Sequence, residues 1–234
     1  MLDEAGWGAD AWRRVLTDPA FADALHFTLR VAATSTAIAV IGALVVATWL
    51  RRTRWTRSAL TLPVASPHLV LAALAVTWAA PGGIVDRIVG GTPVTIIGDR
   101  SGWGIIVVYA AKELPFVALV AIAALDDVTG ELDDTAAVLG ANRWQRLRDV
   151  TLPRLAVPLA ATGLVVAAFV IGAVEVPLLV GPTSPRMLGP YALDLVRVDG
   201  PAARADAAVA VLVATALTAI VGVTLTMMWR RLRR

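Results

Sequence analysis

Lys112 and Glu113 sit side by side in the run VVYAAKELPFVALVAIAALD, which is otherwise almost wholly apolar. They lie about ten residues into a helix rising about 1.5 Å per residue, which is near mid-bilayer if that helix crosses a membrane. Ionisable groups at such depth are costly and face a pathway or a partner. Neighbouring helix positions point apart, so the two do not pair with each other on the helix. They read either as pathway or gating residues or as a structural link to another helix. A third ionisable group, Glu175, precedes Pro177 by two positions. Proline has no N–H to offer and frees a carbonyl one turn back, near Ala173. A carboxylate beside a broken turn suits an external gate or a substrate contact, or else snorkels to the headgroups. Lys112 is expected at similar depth, which allows a Lys112–Glu175 bridge across a closed gate. Lys112, Glu113 and Glu175 together would serve a proton or ion relay.

Other chemistry is missing. The chain has no cysteine, so thiolate nucleophiles, thiolate metal sites and disulfides are excluded. His26 and His68 are isolated, and no His/Asp/Glu cluster has metal-ligand spacing. No G-x-S-x-G occurs, and no Ser/His/Asp set can be assembled. Lys112 is the only lysine and lies outside any Gly-Lys-Ser/Thr, so the chain cannot supply a phosphate-cradling loop of its own. No catalytic residue is expected, and no metal. The net charge of +3 is spread over loops and makes no nucleic-acid footprint.

The elements that hold these residues follow from hydropathy. The chain is 58% hydrophobic with mean hydropathy +0.73, against about 45–50% apolar in soluble domains. A spanning helix needs about 20 mostly apolar residues. Five stretches qualify: residues 25–50, 58–80, 102–125, 155–180 and 205–229. The expected fold class is an all-α membrane protein with five transmembrane helices. Prolines 63, 67, 115, 158 and 177 are compatible with it, because neighbouring helices can satisfy freed carbonyls. Residues 1–24 are expected as an external segment; its start reads either as an amphipathic helix at the interface, with Trp7 and Trp12 as anchors, or as a loose tail. That start lacks the pattern of a cleavable signal peptide. Arginines cluster after the first span (51, 52, 54, 57), after the third (143, 146, 148, 154) and at the tail (230, 231, 233, 234). The positive-inside rule puts these in the cytoplasm, leaving the N-terminus outside and the C-terminus inside.

The loop of residues 126–154 is polar yet ordered in its signals. Glu131, Asp133 and Asp134 suit the positive end of a first helix. Leu132, Ala136 and Leu139 make a short apolar stripe. Gly140 has the place of a helix C-cap. Asn142 and Gln145 form a capping-box pattern for a second helix, which presents Trp144, Leu147 and Val150/Thr151 on one side. Pro153 is expected to close it as the fourth span begins. A helix–turn–helix held between two membrane helices can transmit force.

This stretch resembles the EAA loop of type I ABC importer permeases, whose pattern is Glu-Ala-Ala, three residues, Gly, nine residues, Ile, one residue, Leu-Pro. Asp134-Thr135-Ala136 stands for Glu-Ala-Ala, and Gly140 for the glycine. Ala141 to Asp149 are the nine, Val150 replaces Ile, and Leu152-Pro153 closes the motif. The spacing matches throughout; Asp for Glu and Thr for Ala are the departures. The likeness extends more weakly over residues 25–234, read as the permease domain. Many relatives carry a sixth helix in front, and the five-helix version is also known. Residues 113–128 and 169–193 resemble most the polyamine, ferric-iron and thiamine importer group.

The resemblance implies a bacterial inner-membrane subunit that forms a translocation pathway. A cytoplasmic ABC ATPase dimer binds ATP and Mg, and this chain holds no cofactor. Asp134, Thr135, Ala136, Gly140, Ala141, Trp144, Leu147, Leu152 and Pro153 would dock on that ATPase. A second permease, a copy or a different chain, would complete the pathway, and an extracytoplasmic binding protein would deliver a small hydrophilic substrate. A short helix is expected near residues 187–196 at the external mouth. Its Tyr191, Asp194 and Arg197 either contact the binding protein or are simply solvated. Membrane lipid is the remaining partner. The competing reading is an ion- or proton-coupled secondary transporter, though five unequal spans show no internal repeat.

Overall fold

The computed structural model describes residues 8–50, 53, 55–91, 96–126 and 129–232. All its regular elements are helical: α1 (Ala9–Thr17), α2 (Pro19–Val45), α3 (Thr56–Ala65), α4 (His68–Ala79), α5 (Ile84–Val89), α6 (Trp103–Asp126), α7 (Thr129–Val138), α8 (Arg143–Arg146), α9 (Leu152–Gly172), α10 (Glu175–Val180), α11 (Leu188–Arg197) and α12 (Pro201–Leu232). Wider turns over Val46–Leu50 and Leu147–Thr151 extend α2 and join α8 to α9. Among the described residues, five helices are long and apolar enough to cross a membrane: Pro19–Leu50, His68–Val89, Trp103–Leu125, Arg143–Gly172 and Pro201–Met228. The all-α, five-span expectation holds. Arg51, Arg52, Arg54, Arg233, Arg234 and Trp7, which enter the topology argument, lie outside the described residues.

Three boundaries differ from those expected. The first span begins at Pro19 rather than near residue 25. Proline suits the first helical position, and Asp18 Oδ1 accepts from the Ala20 amide at 2.9 Å. The second span does not run unbroken through residues 58–80. α3 ends at Ala65, Ser66 is extended (φ −79°, ψ 136°), and α4 starts at His68. Pro67 forces this, since a residue preceding proline avoids the helical region. The fourth span stops at Gly172 instead of reaching residue 180. Val174 leaves helical geometry (φ −123°, ψ −43°), and α10 is a separate turn-and-a-half. Pro177 is the cause, because its ring would strike the Ala173 carbonyl of a continuous helix. Pro115 and Pro158, by contrast, stay inside α6 and α9.

The chain divides into two compact units. One holds residues 1–34, 68–108 and 167–234. Within it Ala11, Val15, Phe21, Ala24, Leu188, Ala192, Ala205, Val209 and Ala210 form a buried cluster that joins α1, α2, α11 and α12. Within the N-terminal segment Ala9–Thr17 is helical as α1, with Ala11 and Val15 buried and Trp12 exposed; the first seven residues of the expected amphipathic start lie outside the described residues. Arg14 ties it to α12 through Asp206 at 2.7 Å.

The other unit holds residues 35–67 and 109–166. Lipid tails are as apolar as leucine, so membrane helices associate by close packing of small residues. Gly42 does this in α2: a Cβ there would collide with the Leu114 side chain of α6. Gly163 in α9 lies so close to α2 that a Cβ would stand 3.1 Å from Val40 Cγ2. The run around Ile41–Ala43 is thus a packing feature, as its small residues suggest.

Candidate functional site

The polar loop folds from local signals. α7 ends in the turn Leu139–Gly140, where Gly140 takes φ +87°, a left-handed conformation favouring glycine. The Ala141 amide donates to Ala136 O at 2.9 Å, and the Gly140 amide to Ala137 O at 3.0 Å. This pair of bonds is the Schellman closure. α8 then opens with a reciprocal cap. The Gln145 amide donates to Asn142 Oδ1 at 2.9 Å, and the Asn142 amide to Gln145 Oε1 at 2.8 Å.

Pro153 does not close this second helix, contrary to expectation. The Leu152 amide reaches back five residues to Leu147 O. That wider turn absorbs the missing proline N–H, and Arg143–Gly172 forms one continuous helical run. The loop helix is therefore an extension of a membrane helix.

An ion pair links the loop's two helices. Arg146 Nη1 donates to Asp133 Oδ2 at 3.2 Å, with both side chains mostly buried. The apolar residues of the loop turn outward. Val138 is 87% exposed, Leu139 81% and Trp144 67%. Three large apolar side chains thus stand exposed in one short polar loop. Asp134, Thr135 and Pro153 are also exposed, whereas Ala136, Ala141, Leu147 and Leu152 are half-buried.

The ionisable residues of the spans are divided between the two units. Lys112 and Glu113 are buried, at 6% and 8% exposure. Lys112 Nζ donates to Val64 O at 3.1 Å within its own unit. Glu175 belongs to the other unit and is exposed in the first turn of α10, not in the outer part of a long helix. Pro177 is buried in that turn. The carbonyl of Ala173 comes so close to Gly189 of α11 that a Cβ there would stand 2.6 Å away.

The short helix expected near residues 187–196 is α11. Tyr191 Oη donates to Asp18 Oδ2 at 2.7 Å. Burial first, and then this bond to a carboxylate, hold the phenol well above its usual pKa. Asp194 accepts from Arg186 and lies 3.8 Å from Arg197. The polar handles of Tyr191 and Asp194 are thus engaged within the unit, and Arg197 is the more exposed of the three. Among the described residues no His/Cys/Asp/Glu group could hold a metal.

Residues 36–234 match the family model of the binding-protein-dependent transport system inner membrane component. The chain belongs to that family. This permease is 33% identical over 188 residues to the inner membrane ABC transporter permease protein YnjC of Escherichia coli (strain K12). That alignment covers 76% of the permease and 35% of YnjC, so the chain spans about a third of that relative's length. Its fold is that of a bacterial alginate ABC transporter solved in complex with alginate pentasaccharide-bound periplasmic protein. The TM-score is 0.78 at 20% identity, over 99% of this chain and 86% of that one. An amino acid ABC transporter with histidines gives 0.61 at 17%, over 95% and 98%. Permeases of this family are non-catalytic multi-pass inner-membrane components, and the relay reading of Lys112, Glu113 and Glu175 is not favoured.

Sequence reading missed the Asp133–Arg146 clamp, the Lys112–Val64 bond and the close approach of Gly189. Only Gly189 carries a local hint, as a glycine opening a helix two residues before Tyr191.

Proposed function

We propose that this permease is the membrane subunit of an ATP-driven importer and that its loop docks on a cytoplasmic ABC ATPase dimer. The observation that carries the reading is the loop's construction. It is capped at both helix ends, clamped by Asp133–Arg146 and continuous with α9, and it turns Val138, Leu139 and Trp144 outward. A rigid extension with an apolar tip suits a subunit that moves against the membrane helices. The motif spacing from Asp134 to Pro153 supports the same partner, which would bind ATP and Mg. A second permease subunit, a copy or a different chain, would enclose the pathway, and an extracytoplasmic binding protein would present the substrate.

The cargo reading is a small hydrophilic solute, with Glu175 and Pro177 at the outer break as pathway or gate residues. Arg197, on the exposed end of α11, is the group left to meet the binding protein. The arginine clusters favour a cytoplasmic loop and C-terminus with the N-terminus outside.

Co-purification tests this reading. Trp144→Ala removes an exposed anchor, and tryptophans at interface hot spots are worth about 2 kcal/mol or more, roughly a 30-fold loss of affinity. The wild-type permease, co-expressed with its cognate ATPase, should retain that subunit through washing; Trp144→Ala should shed it. Retention at full stoichiometry in high salt would place the docking surface elsewhere.

A further inference from the structure

Lys112 is the only lysine of the chain, it is buried, and its partner is a main-chain carbonyl rather than a carboxylate. That carbonyl is Val64 O, in the last turn of α3. The end of a helix leaves four carbonyls without intrahelical partners. For α3 these are Leu62, Pro63, Val64 and Ala65. Pro67 aggravates the deficit, because it has no N–H to continue the helix. The structure supplies donors for three of the four. Ser66 Oγ donates to Leu62 O at 3.0 Å, and the Ser66 amide to Pro63 O at 3.2 Å. Lys112 Nζ donates to Val64 O at 3.1 Å, across 48 positions of sequence.

We propose that Lys112 is a helix cap acting in trans: it is the positioning residue that pins the broken end of α3 to α6. Three observations support this. The donor meets one of the carbonyls a terminating helix leaves orphaned. A cationic side chain at a helix C-terminus also meets the negative end of the helix dipole. Inside a membrane no water can replace the missing donor, so an unsatisfied carbonyl is costly. In transporters, the C-terminal ends of discontinuous membrane helices hold coupling cations. Here the amino group of Lys112 takes that place from within the protein. The break is thereby a fixed element, and Lys112 acts through α3 rather than as a free charge in a pathway. The inference does not depend on the ATP-driven reading.

The chain has no cysteine, so a nitroxide can be placed at Ala65→Cys without background, with Ile220→Cys on α12, in the other unit, as a control. Leaving such a carbonyl unmet where no water reaches it shifts the frayed fraction of a helix end by about tenfold. Lys112→Met should therefore raise label mobility at position 65 and leave position 220 unchanged. Lys112→Arg, which keeps a donor of sufficient reach, should restore the immobilised spectrum. Ser66→Ala, which removes a second cap without touching charge, should raise mobility at 65 in the same direction. An unchanged spectrum at 65 in folded Lys112→Met overturns the proposal, and so does failure of Lys112→Arg to restore it. If Lys112→Met does not fold, Pro67→Ala is added, returning a backbone donor to the same helix end. Recovery of folded protein supports the cap, and continued failure overturns it.

Discussion

Replacing Gly140 tests whether the loop's shape, rather than its composition, matters. The residue sits at φ +87°, and a Cβ built there meets nothing within 4 Å. Any cost of substitution is thus conformational, with no steric collision. A non-glycine residue in the left-handed region costs about 1–2 kcal/mol. Asparagine visits that region most readily, and a β-branched residue least. The expected order is Asn, then Ala, then Val, with Val at or above the upper figure. A shift of about 1.4 kcal/mol is tenfold in a local equilibrium. Gly140→Val should therefore open the Ala141–Ala136 and Gly140–Ala137 bonds in a large share of molecules. Insertion and the five spans should be untouched, because a side chain at residue 140 would press on no neighbour. The assay is transport-linked ATP hydrolysis by the complex with its cognate ATPase, alongside expression level in the membrane. Valine should lose most of the stimulation, alanine part of it and asparagine little. Equal activity in all three variants would refute the argument, as would a loss that ignores the order.

Two further outcomes are expected. With no native cysteine, single cysteines at Gln145 and Ser184 should react with an impermeant maleimide from opposite faces of the membrane, Gln145 from the cytoplasmic side only. Labelling of Gln145 from outside would reverse the topology. Gly189→Val should destabilise the unit containing α11, because a Cβ would lie 2.6 Å from Ala173 O and 2.8 Å from Val174 Cγ2. Overpacking of this kind costs about 1–3 kcal/mol, visible as a lower melting temperature in detergent, and an unchanged one would contradict the contact.

What could be read from the chain alone was what local rules encode. Apolar length set the five spans, because a bilayer of fixed thickness asks for about 20 such residues. The loop was legible in detail, since Gly140, Asn142 and Gln145 act on amides and carbonyls within five residues of themselves. The motif spacing from Asp134 to Pro153 is likewise a pattern along the chain. The helix breaks were half legible. A helix ends ahead of Pro67 and of Pro177, while α6 and α9 run through Pro115 and Pro158, and nothing in the prolines themselves distinguishes the two cases. Pro153 was misjudged for a related reason: a wider turn can carry a helix through proline when the surrounding helix is held in place.

Tertiary structure decided the partners of the charged and polar side chains. Lys112 finds Val64, Arg146 finds Asp133 and Tyr191 finds Asp18, across 48, 13 and 173 positions. Such pairings depend on which helix faces meet, and no periodicity within one segment records that. Composition marked Lys112 as costly and therefore meaningful. Only the fold showed that its amino group answers a carbonyl left bare by a broken helix.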